Sequence, residues 1–175
     1  MRLVTALVAV LSISSQVMAQ DPRLQGRLDA VTLRAVTTYI DSSRSGGIPQ
    51  EPLVQKALEG ASKGASGDRI LLAVRNLGST LQAARDALGP ESSEGEIVAG
   101  AAALRAGAPA DGLRGLRRAR GSSDLAVPLA VLADLVGLGV RVENAFQSVL
   151  DLARTRASDA EFIQLKQRRL GEHRP

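Results

Sequence analysis

Residues 125–140 read LAVPLAVLADLVGLGV, the most apolar run after residue 20, with one charge, Asp134, near the middle. Sixteen residues broken by Pro128 and an acid are too few to cross a bilayer, which takes about 20 consecutive apolar residues. They suit a helix that is apolar nearly all round, and a soluble protein must bury such a helix among others. The run therefore predicts a central helix, with amphipathic segments on either side packed around it.

Working back toward the N-terminus, the segments carry helical rather than strand periodicity. Ile70, Val74, Leu77, Leu81, Ala84 and Leu88 recur at alternating four- and three-residue steps, and Gly89-Pro90 stops that helix. Glu94 to Ala106 has acids in its first turn and Arg105 in its last, as the helix dipole favours. Arg23 to Ser45 and Gln50 to Lys63 read as two earlier helices. Asp111 to Arg120 is a weaker one, because Gly112 and Gly115 each cost about 1 kcal/mol relative to alanine. Beyond the central run, Glu143 to Arg154 and Asp159 to Leu170 complete the pattern, and the tail from Gly171 should fray. No stretch alternates with period two in β-branched and aromatic residues, so no strand is expected. The fold class is all-α, either a compact multi-helix bundle or a short stack of helical hairpins.

A short pattern recurs at the joints: GIPQE at 47–51, GASGD at 64–68, GAPAD at 107–111 and GVRVE at 139–143. Glycine in the left-handed region closes one helix. The next residue tucks under the joint, and the acid four places on sits in the first turn of the following helix. Pro52-Leu53 through Leu77 also aligns with Pro128-Leu129 through Leu152 across a one-residue gap. That echo suggests duplicated hairpins at 48–89 and 124–170 within a single helical domain, 20–175.

Met1 to Ala19 has the layout of a secretory signal: Arg2, an apolar stretch from Leu3 to Leu11, and Val17-Met18-Ala19 where a peptidase reads small residues. Cleavage after Ala19 is expected, which would make the protein periplasmic or secreted. The chain has 175 residues, no cysteine, and a formal charge of +4. Absence of cysteine removes disulfides, thiol nucleophiles and thiolate metal sites together. Tyr39, Phe146 and Phe162 are the only aromatics. Alanine, leucine and valine must therefore fill the core, which favours close helix packing.

Catalytic chemistry has little to build on. The one histidine, His173, stands three residues from the end, so the serines lack a base and no metal set forms around it. Neither a phosphate-cradling loop nor a dinucleotide fingerprint occurs. Glu91, Glu94 and Glu96 cluster between helices, and Glu91-Ser92 resembles the catalytic pair of helical lytic transglycosylases. Those enzymes also need a tyrosine-rich groove for glycan, and a helix start explains the acids more simply. No catalytic residue, metal or cofactor is expected.

Two features stand out as candidate sites. Asp134 is a candidate buried acid, expected to pair with Arg75, Arg105 or Arg141; a buried functional acid or a place at an exposed edge are the alternatives. Arg114, Arg117, Arg118 and Arg120 form a candidate surface for an anionic partner, with no acid between Gly112 and Gly121 to neutralise them. A second basic cluster, Lys166, Arg168, Arg169 and Arg174, ends the chain. Neither cluster is interleaved with aromatics that could stack on bases, so nucleic acid is not an expected partner.

GIPQEPLVQKALEGASKG at 47–64, with DRILLAVRNL at 68–77, resembles stretches of uncharacterised exported all-helical proteins of GC-rich bacteria. The resemblance implies a secreted all-α protein and carries no catalytic motif. The expected function is that of an exported, non-enzymatic helical scaffold or protein-binding module of the cell envelope. The alternative is a peripheral binder of anionic membrane or envelope polymer through the arginines. Partner identity and oligomeric state stay open.

Overall fold

The computed structural model describes residues 21–172, so the leader at 1–19, the expected new terminus Gln20, His173 and Arg174 lie outside it. Among the described residues the fold is all-α, with eight helices: α1 Ala30–Ser45, α2 Glu51–Ser62, α3 Gly67–Leu88, α4 Glu94–Arg105, α5 Ala110–Arg120, α6 Ala126–Gly137, α7 Val142–Arg154 and α8 Asp159–Glu172. None is long and apolar enough to cross a membrane.

The helices stack in two layers. In one, α1 lies beside α3, α3 beside α5 and α5 beside α7; in the other, α4 lies beside α6 and α6 beside α8. Contacts between α3 and α4 and between α6 and α7 join the layers, and α2 packs on α3. The helices pack compactly against one another. In the two segments that echo one another in sequence, the leucine after the proline is buried in each case: Leu53 and Leu129 are both fully buried.

The joints explain why the chain turns where it does. Gly47, Gly64, Gly107 and Gly139 all take positive φ, from 64° to 101°. Each closes its helix the same way. At the first joint, the Gly47 N–H donates to Arg44 O at 2.8 Å and the Ile48 N–H to Ser43 O at 3.1 Å, satisfying carbonyls the helix end leaves open. A fifth joint, between α7 and α8, has the same bonds from Arg156 N–H to Ala153 O and Ala157 N–H to Leu152 O. There Arg156 holds φ 57° in glycine's place.

Two apolar clusters form, and α4 divides them. Leu24, Val36, Ile40, Leu53, Val74 and Leu81 gather with Ile97 and Ala101 on one side of α4. Leu113, Leu116, Leu129, Leu132, Val149 and Phe162 gather with Ala99 and Ala103 on the other. An alanine-rich helix is thin enough to sit between two cores, and at Gly100 an added Cβ would come within 2.9 Å of Leu88.

Two expectations need correction. The first helix starts at Ala30, not Arg23: Asp29 caps it, its Oδ1 accepting from the Val31 and Thr32 N–H groups at 3.0 Å. Before it, Gly26 at φ 71° breaks a turn that drops Leu24 into the core. And α6 is not buried all round. Leu129, Val131, Leu132 and Leu135 are buried, but Ala130, Asp134 and Gly137 form an exposed stripe at three- and four-residue spacing.

Candidate functional site

That outward stripe of α6 faces a matching one on α4. Gly95, Val98 and Ala102 from α4, with Ala126, Val127, Ala130 and Ala133 from α6, line a groove of about 760 Å³ that Pro49 and Pro52 also line. Small side chains at helical spacing keep its floor shallow, and Val98 is 40% exposed on it. Three acids stand on the rim, Glu51, Glu94 and Asp134, and none of the residues lining the groove is basic. Cations from outside the lining reach two of the three, Arg23 at Glu51 and Lys166 at Asp134.

The rim acids differ in what they hold. Glu51 receives Arg23, Nη2 to Oε2 at 2.7 Å, and the Gln55 amide. Hydrogen bonding from that guanidinium holds its carboxyl down to about 2. Asp134 receives Lys166 Nζ at 2.8 Å, with both side chains substantially exposed. Glu94 has neither a hydrogen bond nor an ion pair among the described residues.

Asp134 is therefore an exposed edge acid, not a buried one, and its partner is Lys166 rather than Arg75, Arg105 or Arg141. The neighbours that suggested burial are alanines, which are as compatible with a shallow surface as with a core. The buried acid is Glu96, 4% exposed in the first turn of α4. Its Oε1 accepts from Arg117 Nη2 at 2.5 Å and from the Leu125 N–H at 2.9 Å. Its Oε2 accepts from the Ser93 N–H at 2.9 Å, while Ser93 Oγ accepts from the Glu96 N–H, a reciprocal cap. Burial pushes this carboxyl up, but the bonds from Arg117 and the two backbone N–H groups outweigh it and leave it below its ordinary value. The Ser93-x-x-Glu96 spacing was the signal that marks it.

The four arginines are not brought together as one exposed surface. Arg117 turns inward, giving three more protons to the carbonyls of Leu88, Gly121 and Ser123. Arg120, with its side chain 9% exposed, donates to Ala157 O at 2.7 Å and lies 5.3 Å over the Phe162 ring. Arg114 pairs with Asp111 in the preceding turn. Arg118 alone of the four is exposed without a partner among the described residues. Helix phase explains the split: Arg117 and Arg120 fall on the side of the buried Leu113 and Leu116, four residues on from each, while Arg114 and Arg118 fall on the exposed side. Neutralising acids came from other helices, Glu96 and Asp159, which the local sequence could not reveal.

Among the described residues no three His, Asp or Glu side chains converge as a metal site would require. Glu91 is exposed and Ser92 Oγ is buried without a partner. Comparison with protein-family models, with curated proteins and with solved structures finds no match to this chain.

Proposed function

We propose that the protein is an exported, non-enzymatic helical module that docks an amphipathic helical segment of a partner protein in the groove between α4 and α6. The observation that carries this reading is the groove itself, an apolar floor of small residues with three acids on its rim, of which Glu94 stands unpaired among the described residues while Glu51 holds Arg23 and Asp134 holds Lys166. Alanine and glycine on both walls let a third helix approach closely, since interaxial distance follows the side chains at the contact. Acids on the rim select a segment whose flanks are basic. α4 has 12 residues, so the groove accepts about three turns, roughly 18 Å. The export part of the reading is supported by the leader pattern at 1–19. The arginine-cluster alternative has less support, because Arg117 and Arg120 are engaged inside the fold.

A labelled helical peptide of alanine, leucine and lysine, about four turns long, tests the groove by fluorescence anisotropy. It should bind at low salt, and its glutamate counterpart should not. Ala130→Arg should abolish binding while leaving helical circular dichroism unchanged. Equal binding of both peptides, or binding indifferent to Ala130→Arg, would contradict the reading.

A further inference from the structure

Glu51 and Glu94 also line a second cavity of about 560 Å³, bounded by the turn at 21–24, α1 and the start of α2. Its floor is apolar: Leu24, Ile40, Ile48 and Val54 are each no more than 5% exposed. Four carboxylates line it, Asp21, Asp41, Glu51 and Glu94, against one cation, Arg44.

The existing partners leave a specific remainder. Asp21 and Glu51 share the guanidinium of Arg23, each at 2.7 Å. Arg44 gives Nε and Nη2 to the Gln50 side-chain oxygen at 2.8 and 2.5 Å. Asp41 and Glu94 make no hydrogen bond or ion pair among the described residues. Thr37, 9% exposed, lines the same cavity, and its hydroxyl is buried with no partner. A helix threonine ordinarily returns its hydroxyl to a carbonyl one turn back. An unpaired buried hydroxyl costs stability that a methyl in its place would not.

We propose that this cavity takes a lysine side chain of the segment docked in the adjoining groove, a step that rests on the docking reading above. The aliphatic stem lies on Leu24, Ile40 and Val54. The ammonium has three protons and no acceptor, and it meets two unengaged carboxylates, Asp41 and Glu94, and the Thr37 hydroxyl after a χ1 rotation. A carboxylate ligand would face the unengaged Asp41 and Glu94, with Arg23 already shared by Asp21 and Glu51 and Arg44 held by Gln50.

The test uses n-butylammonium, which is a lysine side chain without its peptide, with butyrate and butanol as matched controls. Amide signals of Thr37, Ile40, Asp41 and Val54 are followed by NMR in the full chain. Butylammonium should shift them saturably, and the two controls should not. Asp41→Asn should weaken the effect about tenfold, the loss of one charge-assisted bond. Thr37→Val should weaken binding too, while raising the melting temperature of the free protein. Ala130→Arg, which blocks the groove, should leave the butylammonium titration unchanged. Failure of docking and failure of this pocket are therefore separable. Stronger shifts with butyrate, equal shifts with butanol, no response to butylammonium, or indifference to Asp41→Asn would each overturn the proposal.

Discussion

Arg117, on α5, donates to Glu96, on α4, at 2.5 Å across 21 residues of chain, and the same Glu96 oxygen accepts the N–H of Leu125 just before α6. Three helices of the second core are registered by one carboxylate.

Replacing Arg117 with methionine leaves Glu96 buried without its cation. Removing one member of a buried pair typically costs about 3–5 kcal/mol, so urea denaturation should register a loss near the lower figure, because Arg117 keeps some solvent contact. Asp134→Ala removes only a surface pair and should cost less than about 1 kcal/mol. The opposite ranking would return the buried-acid role to Asp134.

The same carboxylate sets an acid limit. Glu96 ionises below its ordinary value of 4.5 when folded, so its stabilisation is present above that value and is lost as pH falls through the lower folded one. Glu51 and Glu59, both held down to about 2 by hydrogen bonds from Arg23 and from Lys56 and Lys63, act in the same direction from the surface. Urea midpoints should stay flat from about pH 7 to 5 and fall below about 4.5. At roughly 0.5 M salt the surface share should fade, since the screening length is then only about 4 Å. What remains should disappear in Glu96→Gln; an unchanged acid slope in that variant at high salt would contradict the assignment.

The joints give a paired test. Gly139→Ala places a side chain at φ 86° with nothing nearby to clash, so its cost is backbone alone, about 1 kcal/mol. Arg156→Gly releases an arginine from φ 57°. It should gain up to about 1 kcal/mol, less the entropy glycine adds to the unfolded chain. Thermal melts of the two variants should move in opposite directions.

Within α5 two glycines have different reasons to exist. A Cβ at Gly112 would lie 2.8 Å from the Phe146 ring, whereas at Gly115 only the Arg118 guanidinium comes as near as 4.0 Å. Gly115→Ala should therefore gain up to about 1 kcal/mol of helix propensity, and Gly112→Ala should lose stability by displacing Phe146. Equal gains in both would mean α5 and α7 are less closely packed than described.

The helices were legible because this core is built from periodic leucine, valine and alanine, and the four glycine joints because only a left-handed residue closes such a helix. The fifth joint was hidden, since Arg156 takes that conformation without glycine's signature. Alanine caused the other misreading. Ala130 and Ala133 look like core in a sequence but line a surface groove, because a small apolar side chain exposes little area wherever it stands. For Arg117 and Arg120 the missing information was long-range: their partners are Glu96 and Asp159 on other helices and Ala157 in the joint before α8.

The docking groove is the central functional claim, and hydrogen exchange with and without the lysine-bearing helical peptide tests it most directly. Added protection should fall on α4 around Gly95 to Ala102 and on α6 around Ala126 to Asp134, with α5 and α7 unchanged. Protection centred on Arg114 and Arg118, or none at a peptide concentration that saturates the anisotropy signal, would place the binding surface elsewhere and contradict the account.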